Sequence, residues 1–177
     1  RKDGKIYPLK QRNVDTGMGL ERIVTVSQKQ PTVYETDLFR PIMDKINELT
    51  NIDEEVSKRI IADHIRASVM LIADDVMPSN VDQGYILRRL IRRSLRHMKK
   101  LEIDFSFFQE LVKITIDKQK EYFKNVESKE TNILEICEAE KNKFAKALIR
   151  GEKKFTEMIE KSNKLAKEDV FRLYDTF

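Results

Sequence analysis

Residues 78–101 read Pro-Ser-Asn-Val-Asp-Gln-Gly-Tyr-Ile-Leu-Arg-Arg-Leu-Ile-Arg-Arg-Ser-Leu-Arg-His-Met-Lys-Lys-Leu. A polar loop ends at Gly84 and opens into a helix with two faces. Leu87, Leu90, Ile91, Leu95, Met98 and Leu101 recur at helical spacing, so one side can rest on a core. Arg88, Arg89, Arg92, Arg93, Arg96, Lys99 and Lys100 fall largely on the other side. Five arginines within nine residues repel one another unless something anionic meets them. Guanidinium forks match phosphate oxygens in a bidentate way, so a phosphate backbone is the natural partner. A charge run is commonly no more than the solvated face of an ordinary helix. This one is dense, nearly all arginine and free of interspersed acids, which favours nucleic acid.

The rest of the composition agrees with a helical protein. The chain has 177 residues, enough for one domain with a real core or two small ones. Charged residues make up 36% and apolar residues 40%, and the apolar ones are patterned, which argues against global disorder. With 5 Gly and 4 Pro there is little material for a turn-rich β protein. A net charge of +4 points to local basic patches on an acidic background. Cys137 is the only cysteine, so no internal disulfide can form, and a reducing, cytoplasmic setting fits. It falls on an apolar helix face and reads as a small buried hydrophobe. His64 and His97 are the only histidines, too few with one cysteine to build a His/Cys metal centre, and no metal site is expected. No signal peptide or membrane-spanning stretch is visible. The chain opens on Arg1 and closes on Thr176-Phe177, and it reads as a piece of something longer.

Outward from the arginine helix, the pattern predicts further helices. Val56, Ile60, Ile61, Ile65, Val69 and Ile72 form the stripe of a long helix over 54–74, with Asp53 or a neighbour as its cap. His64 lies beside that stripe and reads as a residue bonded to a helix neighbour. Leu38, Phe39, Ile42, Met43 and Ile46 mark an earlier helix capped by Thr36 or Asp37. Phe107 to Tyr122 mark a later one. Ile133, Leu134, Cys137, Phe144, Leu148, Phe155 and Ile159 make a long stripe over about 130–160, where Gly151 is a place to bend or break. Glu168 to Phe177 begin a last helical or turn segment. Near the start, residues 5–10 are β-like, with Pro8 suited to an edge, and residues 13–28 read as strand, glycine turn, helix. A boundary falls near residues 28–36: an α/β edge before it, helices after it.

One constellation could carry chemistry. Asp15-Thr16-Gly17-Met18-Gly19-Leu20-Glu21-Arg22 places two glycines where backbone can approach a ligand, and a helix N-terminus follows. Arg22, one turn in, could reach a phosphate, and Asp15 could hold an ammonium group. On spacing alone this is also an ordinary tight connection.

Val14 to Arg22 resembles motif 3 of class II aminoacyl-tRNA synthetases, in the form used by alanine–tRNA ligases. Tyr34 to Phe39, Ala62 to Ala67, Ile72 to Asn80, Gly84 to Arg93 and Phe171 to Thr176 resemble that family in order and spacing, with residues 102–165 the weakest part. The resemblance implies a mainly α fold: a helical tRNA-recognition bundle over 31–177, with a short α/β remnant of the catalytic domain over 1–30. It implies that Arg22 contacts the ATP phosphates, that Gly17 and Gly19 shape the pocket floor, and that Asp15 with Gly17 binds alanine. It implies that Asn80 and Asp175 read a G·U wobble pair in the acceptor stem of alanine tRNA. Tyr85, Arg88, Arg89, Arg92 and Arg93 would then contact that stem. The implied partners are tRNA, alanine and ATP with magnesium in the parent enzyme, with none expected bound to the fragment.

The physics of the pair is sound. A-form RNA displays base edges in its wide minor groove, where a G·U wobble leaves the guanine 2-amino group unpaired. A side-chain carbonyl or carboxylate accepts from that donor, at roughly 1–3 kcal/mol per well-placed contact. One departure is Gln83, where the family often has Arg, which removes a phosphate contact. The family's motifs 1 and 2 are not found, so no complete catalytic set is expected and the fragment is predicted inactive alone. Two other readings stand beside it: a non-enzymatic RNA-binding helical module, free-standing or split, and a DNA-binding helical domain.

Overall fold

The computed structural model describes residues 3–4, 7–161, 167, 170 and 171, and among these the regular structure is entirely helical. The α-helices are α1 (Leu20–Ser27), α2 (Arg40–Leu49), α3 (Glu55–Ala73), α4 (Asp82–Lys100), α5 (Phe108–Gln119), α6 (Lys124–Ser128) and α7 (Glu130–Lys161). Turns of 3-10 helix at Val33–Glu35 and Phe105–Phe107 precede α2 and α5. No described helix is long and apolar enough to cross a membrane.

The centre is an antiparallel pair. Ile61, Ile65, Val69 and Ile72 of α3 are buried, as are Leu87, Ile91, Leu95 and Met98 of α4. Burying each such side chain contributes about 1.5–3 kcal/mol. Ser57 Oγ, at the start of α3, lies 2.8 Å from His97 Nδ1, near the end of α4, which fixes the antiparallel register. Glu54 and Lys100 pair at the same end. The connection at the other end is closed by local geometry. Asp75 takes a left-handed φ of 65°, and Val76 N–H donates to Leu71 carbonyl at 3.0 Å, a helix stop usually built with glycine. Lys129, at the start of the α7 region, donates to the terminal Ala73 carbonyl at 2.8 Å and pairs with Asp75 at 2.7 Å. A cation is favoured there by the helix dipole.

α2, α5 and the first half of α7 complete the core through Ile42, Ile46, Leu111, Ile116, Ile133 and Cys137, all buried. Burial pushes the Cys137 thiol up to about 12, so it is inert packing. His64 is buried with Nδ1 3.0 Å from Asp63 Oδ2, a bond to a helix neighbour as expected.

Several details differ from the sequence reading. Val56 is 65% exposed, because it falls off the α3 face that carries the buried Ser57, Ile61 and Ile65. The α7 stripe is core only in its first half: Phe155 and Ile159 are 44% and 40% exposed. Gly151 does not interrupt α7, whose neighbouring turns carry it as one helix to Lys161. Neither Thr36 nor Asp37 caps α2. The Thr36 carbonyl accepts from Phe39 and Arg40 N–H at 3.1 and 2.8 Å, and Thr36 Oγ1 donates to Val33 carbonyl. α3 starts after Glu54 without a side-chain cap. Residues 7–19 form no strand, since a strand requires a hydrogen-bonded neighbour and none is present among the described residues. The segment predicted over 168–177 lies mostly outside the described residues.

Candidate nucleic-acid interface

Amphipathic α4 turns its arginines away from the core and into a groove of about 740 Å³. Val56 and Ile60 of α3 form one wall, and Phe144 of α7 closes the other. Tyr85, Arg88, Arg89, Arg92, Arg93, Arg96 and His97 line the rest. The packing of α4 on its neighbours then divides the basic residues into two sets. Arg92 Nε donates to Glu140 Oε1 at 2.6 Å, and its guanidinium lies 5.9 Å from the Phe144 ring centroid. Lys99 pairs with Glu152 and Lys100 with Glu54. Arg88 donates to the Asn80 side-chain carbonyl. Acids that the local sequence lacked are therefore supplied from α7 and from the turn before α3. Arg89, Arg93 and Arg96 remain exposed and, among the described residues, without a carboxylate partner.

Burial first, and then the charges of Arg93, Arg96 and Lys100, hold the pKa of His97 below the ordinary 6.5, with Glu54 opposing. The flanking cations are the part of that shift that a polyanion would relieve.

The loop carrying Asn80 is folded back on the first turn of α4. Ser79 N–H donates to the Gly84 carbonyl at 3.0 Å, and Ser79 Oγ bridges to Val81. Gly84 is buried, and an added Cβ would lie 2.8 Å from Ser79 Cβ and closer still to Ser79 Oγ and the Met77 carbonyl. Only glycine admits that approach. Asp82 takes φ 48° to turn the chain into the helix. Asn80 is exposed and surrounded in sequence by exposed apolar residues: Met77 (57%), Val81 (64%), Tyr85 (42%) and Ile86 (49%). The sequence reading singled out Asn80 and Tyr85 but missed this rim. Asp175 lies outside the described residues.

The residues of the motif 3 resemblance are arranged separately. Asp15, Gly17, Gly19 and Arg22 are all exposed, and an added Cβ at Gly17 would meet nothing within 4 Å. Gly19 leads directly into α1, and the Arg22 side chain folds back over it, 3.6 Å from the position of a Cβ there. α1 itself has no buried residue. It is held by Val24 packing on the core, by Glu21 to Arg66 at 3.0 Å, and by the Gln28 amide bonded twice to Asp37.

A family model described as tRNA synthetases class II (A) matches residues 1–177. The chain belongs to that family. It is similar to an alanine–tRNA ligase of Thermotoga sp. (strain RQ2), 44% identical over 181 residues. It is similar also to alanine–tRNA ligases of Crocosphaera subtropica (strain ATCC 51142 / BH68), at 40%, and Borrelia hermsii (strain HS1 / DAH), at 41%. Each alignment covers 99% of this chain, but only 21%, 21% and 31% of the respective relative. The chain thus spans about a fifth of the length of the first of these relatives. As a class II (A) synthetase segment, it brings the Asn80 loop and the arginine groove together on α4. Of the residues in the motif 3 resemblance, Arg22 stands on α1 while Asp15, Gly17 and Gly19 precede it, and Glu21 of that helix pairs with Arg66 of α3. Arg66 and Glu140 were missed from sequence because each takes its role from a partner more than forty residues away.

Proposed function

We propose that this chain is the part of an alanine–tRNA ligase that joins motif 3, over 1–30, to a helical reader of the tRNA acceptor stem, over 31–177. The observation that carries the reading is the clamp on Asn80 beside the groove. A rigid, exposed amide oxygen sits at the head of a helix whose Arg89, Arg93 and Arg96 have no carboxylate partner among the described residues. The arginines would position the phosphate backbone, and Asn80, with Asp175, would accept from the guanine 2-amino group of a G·U pair. Arg88 and Arg92 border the same groove and give it shape. Tyr85 offers a flat apolar face to a ribose or base. On α1, Arg22 would meet the ATP phosphates, while Asp15 and Gly17 would hold alanine.

In an alanine–tRNA ligase these parts would serve activation of alanine by ATP and its transfer to tRNA, in the cytoplasm. The motif 3 residues of this chain lie open to solvent, whereas adenylate formation depends on preorganised charge in an enclosed site. The isolated chain is therefore expected to bind RNA without activating alanine. Two measurements test the reading. Hairpins carrying G·U or G·C at the wobble position are compared at fixed salt, and ATP–pyrophosphate exchange is assayed with the chain alone. Equal binding of both hairpins would reduce the chain to a generic RNA-binding module. Exchange above background would overturn its predicted inactivity.

A further inference from the structure

The interior of the helical bundle holds one guanidinium with an unusual assignment. Arg66 lies on the central helix α3 and is 8% exposed. Its guanidinium sits 5.2 Å from the ring centroid of the buried Phe39. Among the described residues its Nε has no hydrogen-bond partner. The carboxylate that meets it is Glu21 of α1, at 3.0 Å, and Glu21 is the residue before Arg22. An arginine stays charged at any accessible pH, so a buried one binds its carboxylate tightly or is left uncompensated.

The remaining attachment of α1 is slight. The helix buries none of its residues, and Val24 rests on the core from a half-buried position. The Gln28–Asp37 bonds hold the far end and are exposed. At the end that carries Arg22, the ion pair is therefore the principal constraint on the rotation of α1. Thr25 Oγ1, which donates to the Glu21 carbonyl at 2.7 Å, stiffens the same turn.

We propose that Arg66, through Glu21, sets the rotation of α1 and so places the Arg22 guanidinium for nucleotide phosphate. Arg66 is a positioning residue in the helical domain that touches no ligand. This rests on the reading of Arg22 as a phosphate contact. It also gives the helical reader a mechanical link to the nucleotide site, since α3 packs on α4 and α4 lines the RNA groove.

The test uses a full-length alanine–tRNA ligase containing this sequence, with Glu21→Gln, Arg66→Lys, the Glu21→Arg/Arg66→Glu exchange and Arg22→Ala. KM for ATP and kcat are measured by pyrophosphate exchange, hairpin affinity by titration, and α1 protection by amide hydrogen exchange. Glu21→Gln should raise KM for ATP by about tenfold or more, the scale of a displaced contact. It should speed exchange of α1 amides and leave hairpin affinity unchanged. Arg66→Lys should fall between wild type and Glu21→Gln, and the charge exchange should recover part of the loss. If Arg22→Ala raises KM while Glu21→Gln leaves KM and α1 exchange unaltered, the positioning role is overturned and the reading of Arg22 stands. If Arg22→Ala itself leaves KM unaltered, that reading fails and takes this inference with it.

Discussion

The guanidinium of Arg88 donates a hydrogen bond to the side-chain carbonyl of Asn80. An arginine counted among the phosphate contacts is thereby committed, at least in part, to holding the amide. A carbonyl oxygen has two acceptor positions, so Asn80 keeps one for a base edge. Arg88→Ala should therefore lower affinity and also discrimination between G·U and G·C hairpins, by about 1 kcal/mol. Arg89→Ala should weaken both hairpins equally. Paired titrations at one salt concentration check both outcomes, and an Arg88→Ala variant that keeps full discrimination would refute the coupling.

Gly84 gives the next prediction. The Met77 carbonyl and the Ser79 side chain lie so close to Gly84 that a methyl group must displace them. Gly84→Ala should cost about 1–3 kcal/mol, as overpacking does. Thermal melting followed by circular dichroism should show a loss of about 2–4 °C per kcal/mol for a domain of this size. Because the displaced loop carries Asn80, discrimination should fall further than overall affinity. A variant that melts like wild type would mean the loop adjusts without cost.

His97 predicts a pH dependence. Its folded pKa is depressed, first by burial and then by Arg93, Arg96 and Lys100. The unfolded chain thus takes up this proton more readily than the folded one. His97 contributes stability that is present above its ordinary 6.5 and lost as pH falls through the lower, folded pKa. RNA phosphates in the groove would offset the neighbouring cations and raise that pKa. Hairpin affinity should then increase as pH falls below about 6.5, with proton uptake on binding. His97→Gln should flatten both profiles, and an unchanged affinity profile in that variant would remove His97 from the interface.

The core was legible in the sequence because it is periodic. Leu87, Ile91, Leu95 and Met98 declare a buried face at helical spacing, and all four are buried. What escaped depended on distance. The arginine run looked unneutralised because Glu140 and Glu152 lie on α7, about fifty residues away. The stripe of α7 continued to Ile159 in sequence, yet only its first half meets partners among the described residues. Periodicity reports that a face is apolar, not how far its neighbour extends. Likewise, only the family resemblance singled out Asn80, and its bond from Arg88 and the packing of its loop on Gly84 needed the folded chain.

Glu140 is 3% exposed at its side chain, and its partner Arg92 is 29% exposed. Glu140→Gln leaves a guanidinium without its carboxylate at the α4–α7 contact. The expected cost is about 2–3 kcal/mol, below the ~3–5 of a fully buried pair because Arg92 keeps a wet edge. The apolar double variant Arg92→Met/Glu140→Met should recover most of that stability, since it leaves no unpaired charge. Denaturant unfolding of the three proteins decides it. A double variant no better than the single would mean that the pair is a specific brace and not merely a compensated cost.

The division of the α4 cations also fixes how binding should respond to salt. Seven basic residues between Arg88 and Lys100 would suggest many phosphate contacts, but Arg92, Lys99 and Lys100 pair with Glu140, Glu152 and Glu54. Arg88 is engaged by Asn80. That bond is to a neutral amide and leaves the Arg88 charge in place, so Arg88, Arg89, Arg93 and Arg96 are, among the described residues, the cations on α4 without a carboxylate. With four phosphates neutralised, log K against log salt should have a slope of about −3.6, not the value near −6 that all seven would give. Each of Arg89→Ala and Arg93→Ala should make the slope shallower by about 1, whereas Arg92→Met should change it little. Lys99→Ala should do the same as Arg92→Met. A slope near −6 in the wild type would mean that RNA pulls the paired cations away from their carboxylates, and the ion pairs would then compete with binding.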